Sequence, residues 1–463
     1  MAKNKIDRYT YMTETPIQKL ILSLAVPTII SMLVTGIYNS ADTFFVGRIP
    51  VNATGATAAV GIVFPVMAVI QAMGFMCGHG SGNYLSRMLG AGKQKEASEM
   101  ASTGFMLAII LGIIFLILGN VFIHPITTFL ASGKVSPETE AMTVQYARII
   151  LIGAPFMMCQ FVVNNQLRFQ GSAVYAMIGL LSGAIMNMFL DPLLILVLGL
   201  GIRGAAIATV MGQITSFFIL LIGSTRGENI HLNIKNVRLN GYYIGQIING
   251  GIPSLFRQGL AAISTILLNR ASGVFGGEAA IAGMSIVSRV TMLVISALIG
   301  FGQGYQPACS FNYGAGLKKR VREGYWFSVI WGTVFLTVMA VVCFIKAPEI
   351  IGFFRKDVDV IAVGKTALRF QCIVLPINSF IIMTNMMLQS MGKGVKASIT
   401  SSSKNGICFI PAIKILPLIL GLTGVQAAQP LADVLTLGIT IPFAASELLK
   451  MKREDDAPVR KET

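Results

Sequence analysis

The sequence has little charge. Only 12% of its 463 residues are Asp, Glu, Lys or Arg, whereas 54% are hydrophobic; a soluble domain carries roughly 25% charged residues. A disordered chain, a fibrous protein and a nucleic-acid-binding protein are therefore excluded, despite the formal net charge of +16. Soluble domains of this total length could not bury so much apolar surface in their cores. The composition predicts an integral membrane protein.

Residues that would build a metal or cofactor site are also scarce. The three histidines are scattered, and the six cysteines include no CxxC pair, so neither a zinc site nor a disulfide framework is expected. Gly90-Ala91-Gly92-Lys93 lacks the rest of a Walker A loop. We therefore expect no cofactor and no nucleotide hydrolysis.

Long apolar runs are abundant instead. A helix needs about 20 mostly apolar residues to cross the hydrocarbon of a bilayer, and twelve segments meet this requirement. They start near Ile17, Thr54, Ala97, Ala141, Ala173, Arg203, Tyr243, Glu278, Arg322, Val363, Lys396 and Leu422. The predicted fold class is all-α integral membrane with twelve transmembrane helices, numbered spans 1 to 12 below.

The basic residues predict the orientation of the spans. The N-terminal tail, the even-numbered loops and the C-terminal tail hold 22 Lys and Arg, against six in the odd-numbered loops. Because basic loops are retained in the cytoplasm, we expect a multi-pass protein of the cell membrane with both termini cytoplasmic.

The two halves of the chain resemble each other. Ala25-Val26-Pro27 matches Gly251-Ile252-Pro253 at an offset of 226, and Leu89-Gly90-Ala91-Gly92 matches Tyr313-Gly314-Ala315-Gly316 at an offset of 224. Gly171 and Gly392 match at an offset of 221. Six spans per copy insert with the same orientation, and such parallel repeats often form the two lobes of a transporter around a central cavity. We predict an N-lobe over 1–223, a cytoplasmic linker over 224–241, a C-lobe over 242–447 and a polar cytoplasmic tail over 448–463.

Several polar residues of the N-lobe lie where charge is costly. Asp42 lies about 25 residues into span 1 and Asp191 about 18 residues into span 5, which places both in the outer half of the membrane. Asn187 shares a helix face with Asp191. Thr209 in span 6 and Tyr146 in span 4 are expected at a similar depth.

Oxygen-bearing side chains of this kind suit a cation. Carboxylate, amide and hydroxyl groups can bind Na⁺, and the carboxylates can take up a proton instead. Taken singly, Asp42 could be a boundary residue in outer water and Asp191 could cap a helix broken by Pro192. Their matched depth favours a cation-coupling site formed by Asp42, Asn187, Asp191, Thr209 and Tyr146, with Na⁺ at the first four as the metal option.

Five motifs resemble those of the MATE family of multidrug exporters, in the DinF-like branch that includes MepA-type pumps. They are Ala41–Arg48, Ala58–Pro65, Gly90–Gly92, Gly201–Thr209 and Gln429-Pro430. The resemblance implies that the two aspartates, Asn187 and Thr209 bind the coupling cation and that Pro27 bends span 1. It also implies a secondary active exporter that couples inward H⁺ or Na⁺ movement to efflux of amphipathic organic cations by alternating access.

The C-lobe differs in its charges. Leu268 and Ala412 stand where the N-lobe has Asp42 and Asp191, and we expect Asp433 in span 12 to pair structurally with one of the intramembrane cations. These cations are Arg257, Arg289, Lys404 and Lys414.

Flexible and polar side chains are candidates for lining the central cavity. Methionine adapts to varied apolar ligands, although it is also common filler in apolar helices. The candidates are Gln71, Asn164, Met157, Met284 and Met387, while Pro27 and Pro192 are candidate hinges.

A lipid-linked saccharide flippase and a membrane-embedded enzyme are the two alternative functions. A lipid-linked saccharide flippase would share the two-lobe architecture and would use cations such as Arg257, Arg289 and Lys404 to bind a pyrophosphate head group. A membrane-embedded enzyme would need a nucleophile with its base, or a metal cluster, and the sequence offers neither. The partners expected are small organic cations and the lipid bilayer, with no nucleic acid, and the chain is expected to act as a monomer.

Overall fold

A computed structural model describes residues 7–49, 52–131 and 135–456, without the side chains of residues 37–44 and 53. The described regular structure is helical throughout. In the first half, the helices of spans 1 to 6 are Ile17–Val46, Ala53–Gly90, Gln94–Val121, Pro137–Phe169, Ala173–Pro192 with a π-helical turn Leu193–Val197, and Gly201–Ser224. Short helices Arg8–Glu14, Ile123–Ala131 and the 3₁₀ turn Ile234–Asn236 lie between or beside them.

In the second half, one pair of spans runs together and one span is bent at a break. Spans 7 and 8 run together as Gly241–Gly314, divided at Gly277, whose φ of 64° and ψ of −156° are not helical. Span 10 consists of Val358–Val374 and Ile377–Ser390, which are bent by 57° at the break. The other helices are Lys318–Ile345 (span 9), Ala347–Phe354, Gly394–Ser402 with Ser403–Ile407 as a π-helical turn and Phe409–Leu420 (span 11), and Leu422–Asp456 (span 12).

The spans are long and apolar enough to cross a bilayer. Among the described residues, ten continuous helices meet this test. One of them contains both spans 7 and 8, divided at Gly277, and the bent span 10 brings the number of spans to twelve. Large apolar side chains are exposed along them, as at Ile113, Ile117 and Val121 of span 3. Exposed apolar positions repeated along a long helix are suited to lipid. The predicted all-helical, twelve-span membrane fold is confirmed.

The chain divides into two compact units. The N unit comprises residues 30–89 and 93–251, and the C unit comprises 1–29, 90–92 and 252–463. The first part of span 1 therefore belongs to the C unit, and the first part of span 7 belongs to the N unit. The predicted lobe boundaries concern the bodies that move during transport, and they stay a prediction.

Within the N unit, the linker is attached to the spans by hydrogen bonds. The backbone N–H of Arg238 donates to Thr103 Oγ1 at 2.9 Å, and that of Ile230 donates to Gln170 Oε1 at 2.6 Å. The Tyr243 hydroxyl donates to Glu99 Oε2 at 2.6 Å. These bonds place the linker and the start of span 7 in the N unit.

Within the C unit, the start of span 1 packs against span 8. A Cβ added at Gly304 would lie 2.3 Å from Ala25 Cα, and one at Gly300 would lie 2.7 Å from Ile29 Cα. Such close backbone approach is typical of small residues at membrane helix crossings. The Arg320 guanidinium also donates to the carbonyl oxygen of Thr15 at 2.6 Å, ahead of span 1.

The internal repeat is visible in the turns. Gly92 and Gly316 have φ of 74° and 76°, and Gly171 and Gly392 have φ of 82° and 78°. These are left-handed conformations that end a helix at the lowest cost with glycine. The sequence matches at offsets of 224 and 221 thus correspond to the same helix-ending turn used twice.

Candidate functional site

Asp191 lies at the end of the α-helical part of span 5. Its side chain is fully buried, with 0% exposure. The next residue, Pro192, has no N–H to donate within the helix, and the chain continues as the π-helical turn Leu193–Val197. Turns of this type are frequent at functional sites. The carboxylate therefore lies next to an irregularity of the helix, deep within a membrane span.

Asn187 contacts this carboxylate and links it to Thr209. Both are almost completely buried, and the Asn187 amide nitrogen lies 3.3 Å from Asp191 Oδ1. With the amide oriented so that both of its ends are satisfied, Nδ2 donates to Asp191 Oδ2 at 3.2 Å and Oδ1 accepts from the Thr209 backbone N–H at 3.3 Å. The Thr209 hydroxyl donates to the carbonyl of Ala205 at 3.0 Å. Its oxygen lone pairs remain suited to a cation.

Glycines explain why spans 5 and 6 lie close enough for these contacts. A Cβ on Gly212 would lie 2.8 Å from the carbonyl oxygen of Gly183 and 3.1 Å from Asn187 Cβ. Nearer the turn between the two spans, a Cβ on Gly204 would lie 2.8 Å from the carbonyl of Leu194. Because no side chain separates the two backbones, the polar groups of both spans are brought to one level.

Tyr146 and Asp42 complete the predicted set. Tyr146 is buried in span 4, and its hydroxyl donates to Met67 Sδ of span 2 at 4.0 Å. Asp42 belongs to the helix Ile17–Val46, but its side chain lies outside the described residues. The structure therefore brings together Asn187, Asp191 and Thr209, while the place of Asp42 in the site stays a prediction.

The structure adds Gln213, which our sequence reasoning left out of the site. It lies one helical turn from Thr209 on span 6. Among the described residues, its buried Oε1 atom has no hydrogen-bond partner, and neither does the Ser216 hydroxyl one further turn along. The i, i+4, i+7 spacing of Thr209, Gln213 and Ser216 is the sequence pattern that could have indicated this polar face. Two unused oxygens on this face enlarge the oxygen-rich environment of span 6.

The two candidate hinge prolines lie at different kinds of irregularity. The helix of span 1 continues through Pro27, and the boundary between the compact units falls two residues later, after Ile29. Pro192 ends an α-helix at the π-helical turn. Both therefore lie where the regular hydrogen-bonding or packing of a span changes.

The candidate cavity residues are divided between the units. Gln71, Met157 and Asn164 lie in the N unit, and Met284 and Met387 lie in the C unit. The Asn164 amide donates to the carbonyl of Ala176 at 2.9 Å, and Met387 is fully buried. Asn164 thus links spans 4 and 5.

The C unit contains a second buried carboxylate. Asp433 has 0% exposure, and it accepts hydrogen bonds from Gln371 at 3.2 Å, Asn378 at 2.9 Å and Gln429 at 2.9 Å. Lys404 Nζ lies 3.9 Å from Asp433 Oδ1 and donates to Asn378 Oδ1. The expected pairing of Asp433 with an intramembrane cation is confirmed.

This cluster joins three irregular spans. Gln371 precedes the 57° break of span 10 and Asn378 follows it. Lys404 lies in the π-helical turn of span 11, and Pro430 lies inside the helix of span 12, three residues before Asp433. Three amides and one ammonium group thus surround the carboxylate.

The MatE family model matches residues 27–193 and 253–412, one match in each half of the chain. The chain is 27% identical over 434 residues to the multidrug export protein MepA of Staphylococcus aureus (strain MSSA476), covering 93% of this chain and 94% of that protein. It is 26% identical over 422 residues to MepA of Staphylococcus haemolyticus, covering 91% and 92%.

Solved structures share the fold. A structure described as the outward-facing conformation of a multidrug resistance MATE family transporter of the MOP superfamily has a TM-score of 0.89 at 24% identity, covering 97% of this chain and 100% of that one. A structure of MATE in the bent conformation has a TM-score of 0.90 at 24% identity, covering 98% and 100%. These likenesses cover nearly the whole chain.

Proposed function

The chain belongs to the MatE family and is a multidrug efflux transporter, and we propose that inward movement of H⁺ or Na⁺ drives its export of small molecules. It is a multi-pass membrane transporter and not an enzyme. Efflux against a gradient requires a coupled energy source. We propose that the coupling ion binds at the buried oxygen groups of the N unit.

The observation that carries this proposal is the environment of Asp191. A fully buried carboxylate lies within contact of the Asn187 amide, which in turn reaches the Thr209 backbone. A carboxylate in a low-dielectric environment is stabilised either by a proton or by a bound cation. Asp191 can therefore exchange one of these with each side of the membrane in turn.

We propose that Asp42, Tyr146 and Gln213 extend this site. Asp42 supplies a second carboxylate, and Gln213 supplies an amide oxygen that has no hydrogen-bond partner among the described residues. Four or more oxygen ligands would suit Na⁺, while two carboxylates would suit one shared proton. Both coupling ions are compatible with this set of groups.

Substrate binding and coupling are proposed to share one alternating-access cycle. Pro27 and Pro192 provide the bends, and the two lobes open the cavity to each side in turn. The substrates proposed are amphipathic organic cations, which would compete with the coupling ion for negative charge. We further propose a monomer with both termini in the cytoplasm, as the distribution of basic loops indicates.

The test uses purified protein in proteoliposomes with an imposed proton or sodium gradient. Asp191→Asn and Asp42→Asn are each expected to abolish gradient-driven efflux of a cationic dye, because an amide has no negative charge to compensate Na⁺ and does not take up a proton. Glu349→Gln serves as the control, since Glu349 is an exposed carboxylate paired with Lys346 near the end of span 9. Normal efflux by both aspartate variants would contradict the site.

A further inference from the structure

Span 7 carries a cation midway along its length. Arg257 lies 16 residues after Gly241 and 20 before Gly277, or about 24 Å and 30 Å along a helix. At this depth a lone guanidinium costs several kcal/mol unless an anion or water compensates it. Neither end of the span is within reach of its side chain.

Arg257 lies on the helix face that packs into the C unit. It shares this face with Ser254, Ser264 and Leu268, which have exposures of 0%, 7% and 9%. These residues are three, seven and eleven positions from Arg257, separations that fall on one side of a helix. Arg257 itself is only half-buried, so its side chain is less completely enclosed than those of its neighbours on this face.

The guanidinium is poorly satisfied by protein groups. Its Nη2 atom lies 3.4 Å from Ser254 Oγ, an oxygen that already accepts from Gln389 Nε2 at 2.8 Å. Its Nη1 atom is buried and has no hydrogen-bond partner in the part of the chain that the structure describes. No ion pair between described residues includes Arg257, whereas Lys404 is held by Asp433 and Asn378.

Further polar groups continue from Arg257 toward span 8. Gln389 of span 10 accepts from Gln306 Nε2 at 3.1 Å. Gln306 is fully buried, and its Oε1 atom has no partner within the described residues. The chain of contacts thus offers an unused cationic donor at one end and an unused neutral acceptor at the other. An isolated buried group of either kind is costly.

We propose that Arg257, with Ser254 and Gln306, forms an anion subsite in the C unit that binds the carboxylate of a zwitterionic amphiphile. The inference rests on the proposed export function and extends its substrates from cations to zwitterions. A guanidinium fork matches the two oxygens of a carboxylate, and one positive charge neutralises one carboxylate. Gln306 would accept a hydrogen bond from a donor group of the same ligand.

A matched pair of dyes tests the subsite. Rhodamine 110 has a free carboxylate, and rhodamine 123 is its methyl ester, so the two differ only in the anionic group. Binding of each to the full chain in phosphatidylcholine nanodiscs is measured by fluorescence anisotropy. In Arg257→Gln, the Kd of rhodamine 110 is expected to rise about tenfold relative to that of rhodamine 123, equivalent to about 1.4 kcal/mol.

Two variants control for charge and for structural damage. Arg257→Lys keeps the charge and should recover at least half of the shift on a logarithmic scale. Arg270→Gln removes an exposed cation from the same helix and should leave the ratio of the two Kd values unchanged. An unchanged ratio in Arg257→Gln, or equal shifts in the Lys and Gln variants, would overturn the proposal.

Repeating the measurement in phosphatidylglycerol identifies the source of the anion. The change in the ratio of the two Kd values could appear in phosphatidylcholine and be lost in phosphatidylglycerol. This result would show that the phosphate of the anionic lipid occupies the site, and it would overturn the assignment to a substrate carboxylate. The binding ratio does not depend on transport. Failure of the wild type to export rhodamine 123 would therefore contradict the proposed function alone, whereas a wild type that binds neither dye would contradict both proposals.

Discussion

The two units each bury a carboxylate in their spans, but they surround it differently. In the N unit, Asp191 of span 5 is contacted by the neutral amide of Asn187, which in turn reaches the Thr209 backbone. In the C unit, Asp433 of span 12 is held by three amides and lies 3.9 Å from the ammonium of Lys404. A carboxylate that is paired with a cationic side chain needs no mobile cation to compensate its charge. The difference suggests that coupling is concentrated in the N unit.

The carboxylates also occupy different positions of the repeat. Gly204 and Gly424 each pack against the backbone of the preceding span, which sets an offset of 220 between spans 6 and 12. At this offset Gln213 corresponds to Asp433, and Thr209 corresponds to Gln429. Equivalent faces of the two spans are thus polar in both units. The two halves share a polar face on these spans, but the carboxylate comes from span 5 in the N unit and from span 12 in the C unit.

The largest effect is expected from separating Asp433 and Lys404. Asp433→Asn leaves the ammonium without its carboxylate and should destabilise the protein by about 3–5 kcal/mol, measured as a fall in Tm in detergent. The double variant with Lys404→Met removes both charges and should recover most of that loss while keeping gradient-driven efflux. Loss of efflux in a stable double variant would show that the C unit also couples, and the comparison would fail.

A smaller effect is expected at the crossing of spans 5 and 6. Gly212→Ala places a methyl group 2.8 Å from the carbonyl oxygen of Gly183, which must push the two spans apart at a cost of about 1–3 kcal/mol. Efflux should fall with it, because Asn187 and Thr209 would separate. Gly61→Ala is the matched control, since a Cβ there has nothing within 4 Å. Equal efflux in the two variants would mean that the close crossing is not needed for coupling.

The smallest effect is expected at a hydrogen bond that occurs in both units. Asn164 donates to the carbonyl of Ala176 at 2.9 Å, and Asn385 donates to that of Ala397 at 2.6 Å, both pairs being related by the offset of 221. Asn164→Ala and Asn385→Ala should each destabilise the protein by about 0.6 kcal/mol, a typical value for a hydrogen bond between membrane helices. Thermal unfolding compares them. A much larger loss of efflux in Asn164→Ala alone would indicate a cavity role for this residue.

Part of the candidate site could be predicted from sequence spacing. Asn187 and Asp191 are one turn apart, so their contact follows from the geometry of a single helix. The pairing of Asp433 with a cation could be expected because a lone charge is costly in hydrocarbon, but Lys404 could not be selected from four candidates. Gln371 and Asn378 were missed, because they reach one carboxylate only through the break in span 10.

The sequence by itself determined the membrane class, the twelve spans and the repeat. Apolar length, basic loops and glycines at helix ends are local properties, and each acts through solvent transfer or backbone conformation along a short stretch of chain. Gly92 and Gly316 illustrate this, since the same local conformation recurs wherever the same turn is encoded.

Only the tertiary structure decided which distant residues share a level and a neighbour. Gly183 and Gly212 bring two spans into backbone contact, and the starts of spans 1 and 7 belong to units formed mainly by the other half of the chain. Arg257 likewise emerged as the poorly satisfied cation only when the partners of Lys404 were visible. Such pairings depend on the packing of whole helices, which apolar periodicity within a uniformly apolar span does not encode.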